Sequence, residues 1–224
     1  MLLNSNVNLL VTANIKSKIA SGVRLNKVNK TFDYDSKNFR KTVEYKKGAS
    51  TWNQRKRLIT GYLDMRGKNE KILELGCGEV PLFEKSKKID IANLPNLDMV
   101  HDLNNPIPID DKFDAIIALE LIGHLWNVDG FLKECSRLLK DGGALVVSSL
   151  NVKHWKTRLQ LLFGNDERFD ENGYYHWFFS PKSLRKKLEE HGFKLEVSAS
   201  IGRLPFINLA GRFIYICSKQ TFQR

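Results

Sequence analysis

Long apolar runs are missing from this sequence of 224 residues. A membrane-spanning helix needs about 20 consecutive apolar residues, and even the apolar stretch NVNLLVTANI is broken by asparagines. We therefore expect no transmembrane segment. Cysteine is also scarce, because Cys77, Cys135 and Cys217 are the only three and show no paired metal-ligand spacing. We expect no metal site, and the odd, scattered count favours a reducing compartment and a cytoplasmic protein.

Acidic residues are nearly absent from the start of the chain, where none precedes Asp33. Residues 1–67 hold 14 Lys and Arg against 4 Asp and Glu, whereas the rest of the chain holds 22 against 21. This basic excess could face nucleic acid, anionic lipid or an anionic substrate, or it could simply be solvated. The same composition occurs in organellar transit peptides, so import is the alternative to a cytoplasmic location. We predict a basic N-terminal extension or lid over residues 1–49, helical in part, and one domain over residues 50–224.

The loop in ILELGCGEVP lacks the third glycine of a dinucleotide-binding loop, since Pro81 occupies that position. No G-K-[ST] follows, which excludes a P-loop. A turn with two glycines, Gly76 and Gly78, still lets a ligand approach the backbone and directs N–H groups at an anion such as a carboxylate. Glu74, just upstream, could face an ammonium group. The loop therefore predicts a site for an amino-acid moiety.

From residue 50 onward, predicted strands alternate with predicted helices. The strands are KILEL, KIDI, LDMVHD, FDAIIALE and ALVVSSL, and the apolar run of the fourth is typical of a parallel strand covered on both faces. The helices are one that begins at Ser50, a short crossover PLFEKS, VDGFLKECSRLLKD ended by Gly142 and Gly143, and SPKSLRKKLEEHGF. KLEVSAS and RFIYICS have no helical pattern between them and should pair antiparallel. This order predicts a doubly wound α/β fold, with ligand at the carboxyl ends of the first strands.

Two aspartates follow the next predicted strands. Asp90 ends KIDI, where its carboxylate could accept hydrogen bonds from both hydroxyls of a ribose, and Asp102 follows the third strand, where it could meet an adenine amino group. Each residue alone is equally well explained as a solvated carboxylate at the end of a strand. Amino acid, ribose and adenine in this order are the parts of S-adenosylmethionine, which is therefore the predicted cofactor.

The segments ILELGCG, IDI, VHDLNNPIP, FDAIIALELIGHL, FLKECSRLLKDGGALVV and HWFFSPKSLRKKLEEHGF resemble successive segments of class I S-adenosylmethionine-dependent methyltransferases that act on small molecules. The resemblance extends from about residue 52 to residue 219, and Pro81 and Leu82 match the members with a short first crossover. It implies a Rossmann-like, mostly parallel seven-stranded sheet with an antiparallel last strand. It also implies these cofactor contacts: Glu74, Gly76, Cys77 and Gly78 with the methionine part, Asp90 and Ile91 with the ribose, Asp102 and Leu103 with the adenine, and Leu119 near the sulfonium.

Two positions depart from the family pattern. Val80 replaces the third family glycine, and Gly123 stands where the family's E-H-L sequence has its glutamate. A binding-only or weakly active relative is therefore one alternative function. Cys77 is expected to serve as a small residue of the turn and not as a nucleophile, since no base stands beside it in the sequence.

The methyl acceptor is the least determined part of the prediction. His176 and His154 follow the fifth strand and are the candidate general bases, with packed structural histidines as the alternative. The resemblance implies O-methylation of a small molecule such as a quinone precursor or a glycan sugar, which could be anionic. The basic N-terminal segment would then act as a lid or as a clamp on an anionic acceptor, with these candidate residues: Tyr34, Tyr45, Trp52, Arg55 and Arg57. RNA methylation is the other alternative, but ALEL follows the fourth strand where base amino-methylators have N-P-P-[YF].

Overall fold

The structure of the protein is a computed structural model that describes residues 50–66, 71–163, 175–202 and 210–220. The predicted extension, with Tyr34 and Tyr45, lies outside these residues, so the boundary at residue 50 stays a prediction. The helices are α1 (Ser50–Arg66), α2 (Val128–Leu138), α3 (Trp155–Leu162) and α4 (Pro181–Glu190), with a 3-10 turn at Ile122–His124. The strands are β1 (Ile72–Leu75), β2 (Lys87–Asp90), β3 (Met99–Val100), β4 (Phe113–Leu119), β5 (Leu139–Leu150), β6 (Phe193–Ile201) and β7 (Arg212–Lys219). Among the described residues, none of these helices has the length and apolar character to cross a bilayer.

The seven strands form one sheet in the order β3-β2-β1-β4-β5-β7-β6. Strands β1 to β5 pair in parallel with their neighbours, and β7 runs antiparallel to both β5 and β6. The predicted doubly wound, mostly parallel sheet with an antiparallel last strand is therefore confirmed. The strand order reverses between β1 and β4, and in such sheets the ligand crevice lies at the carboxyl ends of the strands around this point.

Strand β4 is buried on both faces, as its apolar run predicts. Ile116 belongs to a core that α2 and α4 cover, whereas the adjacent Ile117 belongs to a second core that α1 covers with Leu58 and Ile59. Full burial of one such side chain stabilises the fold by roughly 1.5–3 kcal/mol. The two cores hold the sheet rigid, so the loops at its carboxyl edge start from fixed points.

The first crossover is not helical, and the prediction for PLFEKS was wrong. Residues 76–86 form turns and bends. The amides of Leu82 and Phe83 donate to the Glu74 carboxylate at 2.6 and 2.8 Å, and the Ser86 hydroxyl donates to the same group at 2.5 Å. Because a carboxylate on β1 takes these donors, the segment is held as a turn and does not close helical hydrogen bonds.

The end of α2 also differs from the prediction. The helix ends at Leu138, and Leu139 already pairs with Phe113 in the sheet. Gly142 and Gly143 therefore lie within β5 and do not terminate the helix. By contrast, α4 begins as predicted, because the Ser180 hydroxyl accepts from the Ser183 amide at 3.1 Å in a capping box.

Candidate functional site

The glycine loop after β1 has the backbone conformation of a tight, ligand-facing turn. Gly76 and Gly78 have φ values of +64° and +60°. A Cβ atom on Gly76 would lie 2.9 Å from Leu121 Cδ1, so the conformation favours glycine there and a larger residue would displace the Leu121 side chain. The Gly76 amide donates to the Ile89 carbonyl at 2.8 Å. The predicted two-glycine turn is therefore present, and it is attached to β2.

Glu74 has a role in the fold that the sequence did not predict. Its buried carboxylate accepts from the amides of Leu82 and Phe83 and from the Ser86 hydroxyl. The group therefore fastens the crossover to β1. The contact of Glu74 with a ligand ammonium stays a prediction.

Cys77 lies between the two glycines and is half-buried. Burial, followed by the charges of Asp90 and Glu74, raises the pKa of its thiol to about 12. A thiol with this pKa stays protonated at neutral pH and is a poor nucleophile. This supports the prediction that Cys77 is a small residue of the turn.

Asp90 joins the end of β2 to the glycine loop. Its Oδ2 accepts from the Gly78 amide at 2.9 Å and its Oδ1 from the Ala92 amide at 3.0 Å. Each carboxylate oxygen can accept a second hydrogen bond, so Asp90 retains the capacity to meet ribose hydroxyls. Ile91 follows with 54% of its surface exposed, and it offers an apolar contact beside the carboxylate.

Asp102 stands close to Asp90, because the His101 amide donates to the Asp90 carbonyl at 2.9 Å. The Asp102 carboxylate accepts from the side chains of Asn104 and Asn105 at 2.8 and 3.1 Å. Leu103 is buried in the core, so its side chain is not available to a ligand. The structure therefore brings the glycine loop, Asp90 and Asp102 to one edge of the sheet.

At the end of β4, half-buried Leu119 is followed by an acidic residue that the sequence analysis did not select. Glu120 has a φ of +56°, a conformation that non-glycine residues rarely adopt. The amide and carboxylate of Glu120 both contact the Ser148 hydroxyl at 2.9 Å, so β5 holds this conformation. The sequence signal that could have identified Glu120 is a charged residue directly after an apolar strand.

Two arginines reach the Glu120 carboxylate from other elements. Arg55 on α1 is 3% exposed and its Nη2 lies 2.7 Å from Oε1, while the Nε of Arg212 on β7 lies 3.3 Å from Oε2. Burial alone would raise the pKa of Glu120, but the charges of Arg55 and Arg212 and the Ser148 hydrogen bond lower it below its usual value. The carboxylate is therefore ionised at neutral pH. Of the other clamp candidates on α1, Trp52 is buried in the second core and Arg57 is exposed.

The two candidate bases occupy different positions. His154 precedes α3, and its ring lies 3.8 Å from where a Cβ atom on Gly211 would be. Burial, with a smaller effect from the Lys156 charge, lowers the pKa of His154 below its usual value, so the neutral form that can accept a proton prevails at neutral pH. His176 has an exposed side chain. Four aromatic side chains after β5 are exposed too: Trp155, Phe163, Trp177 and Phe178.

A family model described as a methyltransferase domain matches residues 51–197. The matched segment covers more than half of the chain. The chain belongs to this family of methyltransferase domains. The resemblance to class I S-adenosylmethionine-dependent methyltransferases is thus confirmed.

Two curated relatives are also named as methyltransferases. The ubiquinone biosynthesis O-methyltransferase of Rhodopseudomonas palustris (strain HaA2) is 29% identical over 168 residues, which make up 64% of this chain and 64% of the relative. The mitochondrial ubiquinone biosynthesis O-methyltransferase of Rattus norvegicus is 31% identical over 61% of this chain and 48% of the relative. The chain therefore spans less than two thirds of the length of these relatives.

A solved structure agrees with the fold. The S-adenosylmethionine-dependent methyltransferase from Clostridium acetobutylicum ATCC 824 superposes with a TM-score of 0.60 at 15% identity. The superposition covers 83% of this chain and 96% of that protein. At this identity the likeness shows a common fold.

The departure of this methyltransferase domain at Gly123 has a structural explanation. The Gly123 carbonyl accepts from the amides of His176 and Trp177 at 2.9 and 3.1 Å. A Cβ atom on Gly123 would lie 2.9 Å from Tyr175 Cδ1 and 3.2 Å from the Trp177 carbonyl oxygen. The Tyr175 ring also lies 4.1 Å from the ring of His124. The glycine therefore lets residues 175–177 dock directly on the 3-10 turn, where a glutamate side chain would hold them away.

The second departure, Val80 in place of the third family glycine, is better explained by packing than by damage to the loop. Val80 is half-buried and packs against the second core, which also contains Leu82. Its side chain anchors the crossover to the domain. The valine therefore replaces glycine with an apolar contact.

Glu120→Gln should destabilise the domain by about 3 kcal/mol at pH 7, because it leaves two arginines without the part-buried carboxylate that pairs with both. The pKa of Glu120 is lowered in the folded state, so its contribution is present above the unfolded pKa of about 4.3. That contribution is lost as pH falls through the lower, folded pKa. Urea unfolding from pH 7 to pH 3 should show the two proteins converging at acid pH. Glu189→Gln, in the exposed pair of Glu189 with Arg185, should cost under about 1 kcal/mol. A constant difference between wild type and Glu120→Gln at all pH values would contradict the role of the charge.

Gly123→Ala and Gly61→Ala should change stability in opposite directions. The new methyl group at residue 123 meets Tyr175 and the Trp177 backbone, which should cost roughly 1–3 kcal/mol. Nothing lies within 4 Å of the corresponding position at Gly61 inside α1, so alanine should stabilise that helix by up to about 1 kcal/mol. Chemical unfolding of both variants measures the two changes. Equal stability of Gly123→Ala and wild type would show that residues 175–177 do not dock there.

Proposed function

We propose that this chain binds S-adenosylmethionine at the carboxyl ends of β1, β2 and β3 and transfers its methyl group to a hydroxyl oxygen of a small aromatic acceptor, a quinone-type precursor. The observation that carries the cofactor assignment is the convergence of Asp90 and Asp102 beside the glycine loop. Two acceptor-only carboxylates suit the donor groups of a ribose and an adenine, and exposed Ile91 suits an apolar face. These acceptor groups and this apolar side chain therefore fit the cofactor.

The names of the relatives favour oxygen as the acceptor atom. Both are ubiquinone biosynthesis O-methyltransferases, which supports a quinone-type precursor over a glycan sugar. The family assignment supports methyl transfer over the binding-only alternative, and the names of the relatives support a small-molecule acceptor over RNA. Free thiols at Cys77, Cys135 and Cys217 support a reducing compartment such as the cytoplasm.

The bound cofactor supplies a methyl group that is already activated as a sulfonium. The residues of the chain then have to align the acceptor, exclude water and accept a proton from the acceptor hydroxyl. We assign the proton transfer to His154, whose lowered pKa keeps the ring neutral, with His176 as the competing candidate. Residues 175–178, docked on Gly123, would form part of the acceptor wall.

Asp90→Ala should weaken binding of S-adenosylmethionine at least about tenfold, since charge-assisted hydrogen bonds to the ribose are lost. Isothermal titration calorimetry measures the affinity directly. Asp98→Ala is the matched control, because the Asp98 carboxylate also binds a backbone amide, that of Lys88 at 2.8 Å, but lies before β3 at the opposite edge. The control should lower stability and leave the affinity within about twofold. Wild-type protein that binds no cofactor at millimolar concentration would refute the enzyme assignment.

His154→Gln should abolish most methylation of catechol and spare methylation of 4-nitrocatechol, whose hydroxyl ionises near neutral pH without a protein base. Transfer of a labelled methyl group to each acceptor measures the ratio, which should change at least about tenfold. His176→Gln, assayed in parallel, tests the competing candidate. His191→Gln is the control, because His191 ends α4 and pairs with Asp129 at 3.0 Å. An unchanged ratio in His154→Gln would remove His154 as the base.

A further inference from the structure

Asn104, which no part of the sequence analysis selected, connects the predicted adenine site to the loop after β4. Its backbone amide and its Nδ2 both donate to Asp102 Oδ1, at 3.0 and 2.8 Å. Its Oδ1 accepts from the amides of Trp126 and Asn127 at 2.9 and 3.2 Å. Its own carbonyl accepts from Asn127 Nδ2 at 3.0 Å. One half-buried side chain therefore bridges the end of β3 and the start of α2.

The orientation of the Asn104 amide group is determined by its partners. An ionised carboxylate only accepts hydrogen bonds, and a backbone N–H only donates them. The Nδ2 must therefore face Asp102, and the Oδ1 must face Trp126 and Asn127. A rotation of the amide by 180° would break all three contacts.

These contacts leave the two oxygens of Asp102 unequal. Oδ1 accepts two hydrogen bonds from Asn104, which is the number that a carboxylate oxygen usually accepts. Oδ2 accepts one, from the exposed Asn105 side chain at 3.1 Å. A ligand that donates a hydrogen bond to Asp102 would therefore meet Oδ2, in the direction that Asn104 sets.

We propose that Asn104 is a positioning residue that holds Asp102 as a directed acceptor for the exocyclic amino group of adenine. Through it the domain selects a 6-amino purine over a 6-oxo purine. This inference rests on the proposed function, since it assigns a part of the same cofactor. It differs from a purely structural role because it predicts a loss of base discrimination and not only a loss of stability.

The test compares binding of S-adenosylhomocysteine and S-inosylhomocysteine, which differ only in the base: adenine has a 6-amino group and an unprotonated N1, and hypoxanthine has a 6-oxo group and an N1–H. Calorimetry on the wild-type protein should give a preference of at least about tenfold for the adenosyl compound. In Asn104→Ala the preference should fall below about threefold, because Asp102 Oδ1 keeps only the bond from the backbone amide of residue 104 and loses the Nδ2 bond that fixes the orientation of the carboxylate. Asn104→Asp keeps an acceptor for Trp126 and Asn127 but places a second carboxylate against Asp102, whose like charge displaces the Asp102 carboxylate. It should lose the preference as well.

Two neighbouring asparagines provide matched controls. Asn105→Ala removes the single exposed contact to Asp102 and should leave the preference within about twofold. Asn127→Ser keeps a good N-cap for α2 and removes only the bond to the Asn104 carbonyl, so it should also keep the preference.

Each outcome separates the inference from the proposed function. If the wild type binds neither compound, the proposed cofactor site is wrong. If the wild type binds both equally, or if folded Asn104→Ala and Asn104→Asp keep the full preference, the role of Asn104 is overturned. If Asn127→Ser loses the preference as strongly as Asn104→Ala, loop stability and not the orientation of Asp102 controls recognition, and the inference is overturned as well.

Discussion

Two carboxylates at the ends of neighbouring strands hold the backbone of the first crossover, and the shape of the site depends on them. Glu74 accepts from the amides of Leu82 and Phe83, and Asp90 accepts from the amide of Gly78. A buried N–H without a partner costs about 1–3 kcal/mol, so a buried segment that forms no helix needs such acceptors. Because both carboxylates project from strands fixed in the sheet, the glycine loop is built on a rigid frame.

The same arrangement explains which parts of the fold could be predicted. The double-faced burial of β4 follows from its own apolar run, and the antiparallel pairing of β6 and β7 follows from the lack of a helix between them. The crossover could not be predicted, because Pro81 is as good a first residue for a helix as for a turn. The group that decides between them, the carboxylate of Glu74, acts across eight residues of chain. Sequence patterns of helical or strand period do not contain this information.

Within the site, too, features set by local sequence could be predicted and features set by contacts between distant residues could not. Asp90 and Asp102 could be selected because a residue at the end of a strand has a fixed position relative to its neighbours in a parallel sheet. The role of Glu120 could not be predicted from the sequence, because its partners Arg55 and Arg212 lie 65 and 92 residues away along the chain. Its left-handed backbone is a further non-local feature, because the Ser148 hydroxyl on β5 maintains it. Strain of about 1–3 kcal/mol persists only where the surroundings over-determine the conformation.

Gly123 and Glu120 together set the charge of the segment that follows β4. A glutamate at residue 123 would add a second carboxylate only three residues after Glu120, and a like charge disfavours ionisation of a nearby hydroxyl. Glycine removes that charge, while the remaining carboxylate is balanced by two guanidinium groups, Arg55 and Arg212, among the described residues. The site therefore loses a negative group and gains a closely docked aromatic segment at the same position. For a reaction in which an acceptor oxygen must give up a proton, this substitution is compatible with activity on electrostatic grounds, because it lowers the cost of forming the oxyanion.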